Sequence, residues 1–122
     1  MYYNREGEYG GIQYLESSTI GEFTSRQFPL NDNRRGVGFD KPALEGKNGP
    51  ACKSASDKSF GHTGFTGTFA WADPDNGLIV IFLSNRICPS ADNKKLISMG
   101  IRENIQQVFY DAIEKSTKFA AN

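Results

Sequence analysis

The sequence predicts an α+β fold in which a three-stranded antiparallel meander is packed by a long C-terminal helix, with a short N-terminal helix and long loops. Two observations carry this prediction. The pair Asn76-Gly77, a strong hairpin signal, joins an aromatic stretch to the apolar run 78–83. After residue 93, apolar side chains recur at helical period.

Length and composition limit the possible classes of protein. A chain of 122 residues is enough for one domain with a core. Its 14 basic and 14 acidic residues balance, which argues against a nucleic-acid groove or an anionic-membrane surface. The longest apolar run is far shorter than the roughly 20 residues of a membrane span. One histidine and two distant cysteines argue against a metal site, and we expect no cofactor.

The first half of the chain is predicted to contain few regular elements. The pair Gly10-Gly11 indicates a turn with short extended flanks. A short helix follows, with Ser17 or Ser18 as its N-cap. Residues 36–40 can form a short strand. Residues 43–56 are rich in glycine, proline and small side chains, so we expect a long surface loop there.

The meander is predicted to consist of three strands, at about 58–63, 68–73 and 77–85. The third strand is apolar almost throughout, so both of its faces should be covered. Cys52 precedes the first strand and Cys88 follows the third. They should therefore lie at opposite ends of the sheet, beyond the roughly 7 Å Cα separation that a disulfide tolerates, and we predict free thiols.

The C-terminal helix is predicted to run from about 93 to 116, with Asn93 as its cap. Its apolar stripe should lie across the meander and consists of Ile97, Ile101, Ile105, Val108, Ala112 and Ile113. The opposite, polar face should carry Lys94, Arg102, Glu103 and Gln106.

The segment with the most chemistry is His62-Thr63-Gly64, at the head of a glycine-rich turn. The Thr63 hydroxyl can donate and accept, and His62 can supply a positive or hydrogen-bonding group beside it. Gly64 and Gly67 let a backbone approach a bound group closely. A strand edge of this kind can hold a carboxylate or a carbonyl. Short motifs are weak signals, so an ordinary β-turn with an incidental histidine is the competing interpretation.

Other candidate residues have simpler explanations. We expect Trp71 to pack in the core or against a substrate wall. Arg34-Arg35 is interpreted as a solvated loop tip rather than a clamp for phosphate or carboxylate. Asp73 and Asp75 flank a hairpin turn, where aspartate is favoured locally, so a catalytic carboxylate pair is not expected.

The order of these features resembles the C-terminal part of the β-lactamase-like serine hydrolases, which include class C β-lactamases, D,D-peptidases and esterases. Such proteins carry Ser-x-x-Lys, Tyr-x-Asn or Ser-x-Asn, and Lys-Thr-Gly motifs, and some have His for Lys in the third, as at His62. Three segments, 7–11, 34–40 and 83–86, are similar to the β-lactamase-like domain appended to some bacterial family 3 glycoside hydrolases.

The resemblance implies a role for each matching position. His62 and Thr63 would hold a substrate carboxylate, and Gly64 would keep the strand edge open. The backbone N–H of Phe65 would be one of two oxyanion-hole donors. The parent reaction would be acyl transfer on a peptide, β-lactam or ester, and the parent would be periplasmic or exported.

The departures from the family pattern are as informative. No serine in the sequence has a lysine three residues later, so the nucleophile motif is missing. Tyr2-Tyr3-Asn4 spells the second motif, but its place in the chain does not match, and we do not assign it as the base. We therefore expect residues 1–122 to form a single partial domain, the C-terminal portion of a β-lactamase-like domain, and to be inactive by itself.

The expected partner is the missing N-terminal part of the same domain, whose strand would pair with residues 77–85. Without it this edge is open, and a homo-oligomer through that edge is expected. Two alternatives remain: a non-enzymatic interaction module that uses the meander as its surface, and a phosphate-binding loop at 61–67. The loop lacks the Gly-Lys-Ser/Thr ending and opens no helix.

Overall fold

The computed structural model describes residues 7–28, 33–45 and 47–120, and within them it has the predicted α+β architecture. A small hairpin at Gly10-Gly11 precedes a helix, a three-stranded sheet and two C-terminal helices. The elements in chain order are β1 (Glu8–Tyr9), β2 (Ile12–Gln13), α1 (Ser17–Thr24), β3 (Phe60–Thr63), β4 (Phe69–Asp73), β5 (Leu78–Phe82), α2 (Lys95–Ser98) and α3 (Ile101–Ala120).

The sheet is the predicted up-down-up meander, with strand order β3-β4-β5 and antiparallel pairing throughout. Trp71 in the central strand lies opposite Gly61 on one side and Val80 on the other. Gly77, at the turn between β4 and β5, has a φ of 61°, a conformation that glycine adopts without steric cost. The Asn-Gly signal therefore located this hairpin correctly.

The apolar core lies on one face of the sheet. Phe69, Trp71 and Val80 form the buried cluster, and Leu78 and Phe82 pack against it. The Trp71 indole stacks on the Phe69 ring with centroids 5.6 Å apart, and its Nε1–H donates to Ser59 Oγ at 3.0 Å. The packing role predicted for Trp71 is confirmed.

The opposite face of β5 is open, so the prediction that both faces of this strand are covered is wrong. Val80 is buried, whereas Ile79 and Ile81 are 52% and 66% exposed. Successive side chains of a strand point to opposite faces. Within the described residues, only the face that carries Val80 is packed.

The single helix predicted over 93–116 is instead two helices, because the chain turns at Gly100. This residue has a φ of +58°, which ends α2 before α3 begins. The N-cap residue of α2 is Lys94 and not the predicted Asn93, although the Asn93 carboxamide accepts a hydrogen bond from the Lys95 N–H at 3.1 Å. At α1 neither serine is the cap: Glu16 holds the N-cap position without a side-chain hydrogen bond.

The face of α3 that is buried is not the predicted apolar stripe. Arg102, Gln106 and Tyr110 are buried, whereas Val108 is 63% exposed. The buried face is therefore rotated by about one residue from the predicted one. Two hydrogen bonds explain why this polar face is buried. The Gln106 Oε1 accepts a hydrogen bond from the Cys52 N–H at 2.7 Å, and the Tyr110 hydroxyl donates one to Asp73 at 2.6 Å.

The loop regions also differ from expectation. The strand predicted at 36–40 is reduced to one bridge, between Asp40 and Gly61. The 43–56 loop is not confined to the surface, because Cys52 is 7% exposed beneath α3.

Cys52 and Cys88 are both free thiols, as predicted. Burial raises the pKa of the Cys52 thiol. No helix among the described residues has the length and apolarity that crossing a bilayer requires.

Candidate functional site

The free side of β3 is defined by one pair of backbone hydrogen bonds. The Asp40 N–H donates to the Gly61 carbonyl at 2.8 Å, and the Gly61 N–H donates to the Asp40 carbonyl at 3.1 Å. The backbone groups of Gly61 therefore point away from β4. Because these directions alternate along a strand, those of Thr63 point to the same side. A ligand could pair with β3 along the part of this free side that follows the Asp40 bridge.

The side chains of His62 and Thr63 lie on opposite faces of the sheet, since they are consecutive strand residues. His62 is exposed and Thr63 is half-buried. They can contact the same ligand only across the free edge of the strand. The structure thus brings the two residues of the predicted site to one edge.

The hydrogen bonds of His62 define its tautomer. Nδ1 lies 2.8 Å from the Thr63 carbonyl oxygen, and Nε2 lies 3.3 Å from Arg35 Nη1. A carbonyl only accepts and a guanidinium only donates, so the tautomer with its proton on Nδ1 satisfies both contacts. In this arrangement the positive charge beside the motif is carried by Arg35.

Arg35 belongs to the site, whereas the sequence indicated a solvated loop tip. Its Nε lies 2.9 Å from Asp40 Oδ1, and Arg34 Nη2 lies 3.4 Å from the same oxygen. Two guanidinium groups thus share one buried carboxylate, so within the described residues this cluster carries a net positive charge next to His62. No local signal in the sequence identifies Arg35, because only the bridge from Asp40 to Gly61 brings this loop to β3.

The turn after β3 holds Phe65 at the surface. The Gly67 N–H donates to the Gly64 carbonyl at 2.9 Å, and the Gly64 N–H donates to Thr68 at 2.8 Å, so the turn is fixed at both ends. The Phe65 ring is 72% exposed, with the Arg86 guanidinium 4.9 Å from its centroid. Within the described part of the chain, no backbone acceptor engages the Phe65 N–H. That donor is available to a ligand.

Close packing requires glycine at position 61 and restricts position 64. A Cβ on Gly61 would lie 2.3 Å from the Ala70 carbonyl oxygen and 2.4 Å from the Trp71 ring, contacts that cannot be relieved by a side-chain rotation. A Cβ on Gly64 would lie 2.2 Å from Thr68 Oγ1. At Gly61 the strand therefore approaches its neighbour more closely than any other residue would permit, whereas the contact at Gly64 is with a side-chain oxygen that can rotate.

Asp73 has a structural role. Its buried carboxylate accepts hydrogen bonds from the Ser56 N–H and hydroxyl, from Tyr110 and from the backbone of the following turn at Asp75 and Asn76. This agrees with the interpretation of Asp73 and Asp75 as turn residues. It also ties the sheet, the 51–56 loop and α3 to one carboxylate.

Two cavities found among the described residues lie away from His62. Cavities of about 850 Å³ and 500 Å³ occur elsewhere, and neither is lined by residues 62–65. The candidate base Tyr2-Tyr3-Asn4 lies outside the described residues. Among the residues that are described, no three His, Cys, Asp or Glu side chains come together as metal ligands would. The free edge of β3 therefore resembles one wall of a binding site rather than a complete binding site.

Comparison with known proteins identifies the fold of this wall. Residues 14–97 match the family model described as Beta-lactamase. Two relatives, from Salmonella typhi and Salmonella paratyphi B, provisionally named D-alanyl-D-alanine carboxypeptidases, are each 30% identical over 90 residues, which is 74% of this chain. The chain spans 20% of the length of these relatives.

A solved structure supports the same assignment. The crystal structure of a β-lactamase from Mycobacterium bovis is 21% identical in sequence and superposes with a TM-score of 0.59. The match covers 80% of this chain and 38% of that one. Since the family model matches more than half of the residues, the conclusion is direct: this chain belongs to the β-lactamase family of serine hydrolase domains.

Proposed function

We propose that the chain is the C-terminal portion of a β-lactamase-like serine hydrolase domain and forms one wall of its acyl-transfer site. The observation that carries this proposal is the free side of β3. There a positively charged guanidinium, an imidazole, a hydroxyl and an available backbone N–H border one strand edge. A substrate that lies along this edge would meet hydrogen-bond donors at successive positions.

In the proposed mechanism, the wall holds the substrate and stabilises developing charge but does not attack. Thr63 and Arg35 bind a substrate carboxylate. His62 contacts the Thr63 carbonyl through Nδ1 and the Arg35 guanidinium through Nε2, and it thereby orients the guanidinium. The Phe65 N–H is one of two donors to the oxyanion, a contact whose loss raises the barrier by about 3–4 kcal/mol in a comparable site. Gly64 leaves the edge accessible.

The attacking serine and its base are assigned to protein outside this sequence, which contains no Ser-x-x-Lys motif. Acyl transfer needs both groups within hydrogen-bonding reach of each other and of the bound carbonyl. We therefore propose that the chain by itself neither acylates nor hydrolyses. A burst of acylation by a β-lactam or by an activated ester on the isolated chain would contradict this.

The proposed substrate class is a peptide with a free C-terminal carboxylate. The relatives' provisional name describes a carboxypeptidase, which acts on such peptides, and the net positive charge next to His62 suits an anion. β-Lactams and small esters remain within the proposal. The link to domains of family 3 glycoside hydrolases stays a prediction.

The binding step can be tested on the chain as it is, because His62 is its single histidine and gives one set of imidazole NMR signals. Titration with N-acetyl-D-alanyl-D-alanine should shift these signals, and the C-terminal amide of the same peptide should shift them much less. Thr63→Val and Arg35→Gln should each weaken the response to the acid. The half-buried Arg86, whose guanidinium lies over the Phe65 ring instead of against His62, gives the matched control Arg86→Gln. Equal responses to the acid and the amide would refute the carboxylate role.

The open edge of β5 favours the alternative function, an interaction module. Trp71 and Val80 pair across the two strands, and the alternation set by the Gly61 bridge turns the backbone groups of Ile79 and Ile81 away from β4. These unpaired groups can accept a further strand. We propose that a second copy does so when the chain is alone. A two-fold axis at Val80 would pair Ile79 of each copy with Ile81 of the other.

A further inference from the structure

A second candidate site lies in the cavity of about 850 Å³ between α1 and the beginning of β3. The cavity has the size of a small-molecule site. It reaches β3 at Phe60, two residues before His62, and no residue assigned to the proposed acyl-transfer wall lines it. Ile20 and Phe60 give it an apolar side, and serine and charged side chains form most of the remainder.

Two cations border this cavity and retain unused hydrogen-bond donors. Lys41 is 3% exposed, and its Nζ donates to the Lys58 carbonyl at 3.0 Å, which uses one of the three ammonium hydrogens. Arg26 donates through Nη2 to the Pro42 carbonyl at 2.9 Å. Its Nη1 is buried and, among the residues that the structure describes, has no hydrogen-bond partner. Buried donors without partners are uncommon and unfavourable in proteins.

The carboxylates near these cations do not neutralise them. Asp57 Oδ1 lies 3.9 Å from Arg26 Nη2, and its side chain is 96% exposed to water. Asp75 pairs with Lys58 at 3.0 Å. The lining therefore carries three cations, Arg26, Lys41 and Lys58, against two carboxylates. The charge of Asp73 also raises the pKa of Lys41, but the Asp73 carboxylate already accepts hydrogen bonds from Ser56 and Tyr110.

We propose that this cavity binds an oxyanion, the carboxylate or phosphate group of a small molecule, between Arg26 and Lys41. The anion would accept hydrogen bonds from Arg26 Nη1 and from the unused ammonium hydrogens of Lys41. It would supply the negative charge that the lining lacks. Its apolar remainder would contact Ile20 and Phe60.

Binding should be coupled to pH through Lys41. Burial chiefly, and the neighbouring Arg26 to a smaller extent, lower the pKa of Lys41 from 10.5 to about 8, although Asp57 and Asp73 oppose the change. A bound anion favours the ammonium form and raises this pKa. The affinity should therefore be highest below pH 8 and should fall as the pH rises above it, with proton uptake on binding in that range.

The experiment is thermal unfolding of the full chain at pH 7 in increasing phosphate or acetate, with sodium chloride at matched ionic strength as the reference. We expect a saturable rise in Tm with at least one of the two oxyanions. Lys41→Met and Arg26→Gln should weaken the apparent affinity by about tenfold or more. Lys94→Met, at an exposed lysine outside the cavity, should leave it unchanged.

A second readout is independent of stability. The ¹³Cε resonance of Lys41 reports the ionisation of Nζ, and at pH 8.5 the effective anion should move it toward the ammonium position. A response to phosphate alone or to acetate alone supports the site and names the anion class, and a response to both supports a general oxyanion site. A response to neither anion, or a rise in Tm that Lys41→Met leaves intact, would overturn the proposal.

Discussion

Removal of the Tyr110 hydroxyl tests how α3 is attached to the sheet. The Tyr110 Oη donates to Asp73 Oδ2 at 2.6 Å, and both residues are buried. Hydrogen bonds to charged groups contribute about 1.5–3 kcal/mol, and Tyr110→Phe removes this one without creating a large cavity. The hydrogen bonds that this carboxylate accepts from Ser56, Asp75 and Asn76 do not replace it, because each already has its own donor. We therefore expect Tyr110→Phe to destabilise the chain by about 1.5–3 kcal/mol.

The loss of stability caused by Tyr110→Phe should depend on pH in a defined direction. Burial alone would raise the pKa of Asp73, but hydrogen bonds from Ser56, Tyr110 and Asn76 together hold it below its usual value. A carboxyl whose pKa is depressed by folding contributes stability that is present above its unfolded pKa and is lost as the pH falls through the folded one. The difference between the wild type and Tyr110→Phe should therefore be largest near neutral pH and should shrink below about pH 4.

The assay is urea denaturation at pH 7 and pH 3, with Tyr9→Phe as the matched control. Tyr9 is 68% exposed, and its substitution should change the free energy of unfolding by less than about 0.5 kcal/mol. If Tyr110→Phe behaves like this control at pH 7, or loses as much stability at pH 3 as at pH 7, then the Asp73 contact does not hold α3 in place.

Three further perturbations test other parts of the structure. Lys41→Met should stabilise the chain at pH 7 by about 1–3 kcal/mol, because the fall of the Lys41 pKa from 10.5 to about 8 is an energetic cost of burying the charge. Wild-type stability should rise between pH 8 and 10.5, where the unfolded lysine holds a proton that the folded one has lost, and Lys41→Met should lack this rise. Gly61→Ala should destabilise by more than about 2 kcal/mol in chemical denaturation, since its Cβ would lie 2.3 Å from the Ala70 carbonyl; an unchanged midpoint would contradict that packing. Ile81→Lys should reduce self-association in light scattering, whereas the exposed Ile97→Lys should not; a strictly monomeric wild type at high concentration would refute pairing through β5.

The meander and its turns were predictable from the sequence because their signals are local. Asn76-Gly77 provides a residue that adopts positive φ, and the flanking apolar runs specify strands whatever the rest of the chain does. The order of these strands around His62-Thr63-Gly64 was also sufficient to indicate the family. The break at Gly100 was the local signal that the helix prediction overlooked.

The tertiary structure alone decided which groups meet. Arg35 is next to His62 because Asp40 pairs with Gly61, a contact between segments 21 residues apart that no spacing encodes. The face of α3 that is buried was set by hydrogen bonds from Gln106 and Tyr110, since buried polar groups need partners and these partners lie on a distant loop and strand. Periodicity reports where apolar side chains recur, but the location of a polar partner depends on the path of the whole chain.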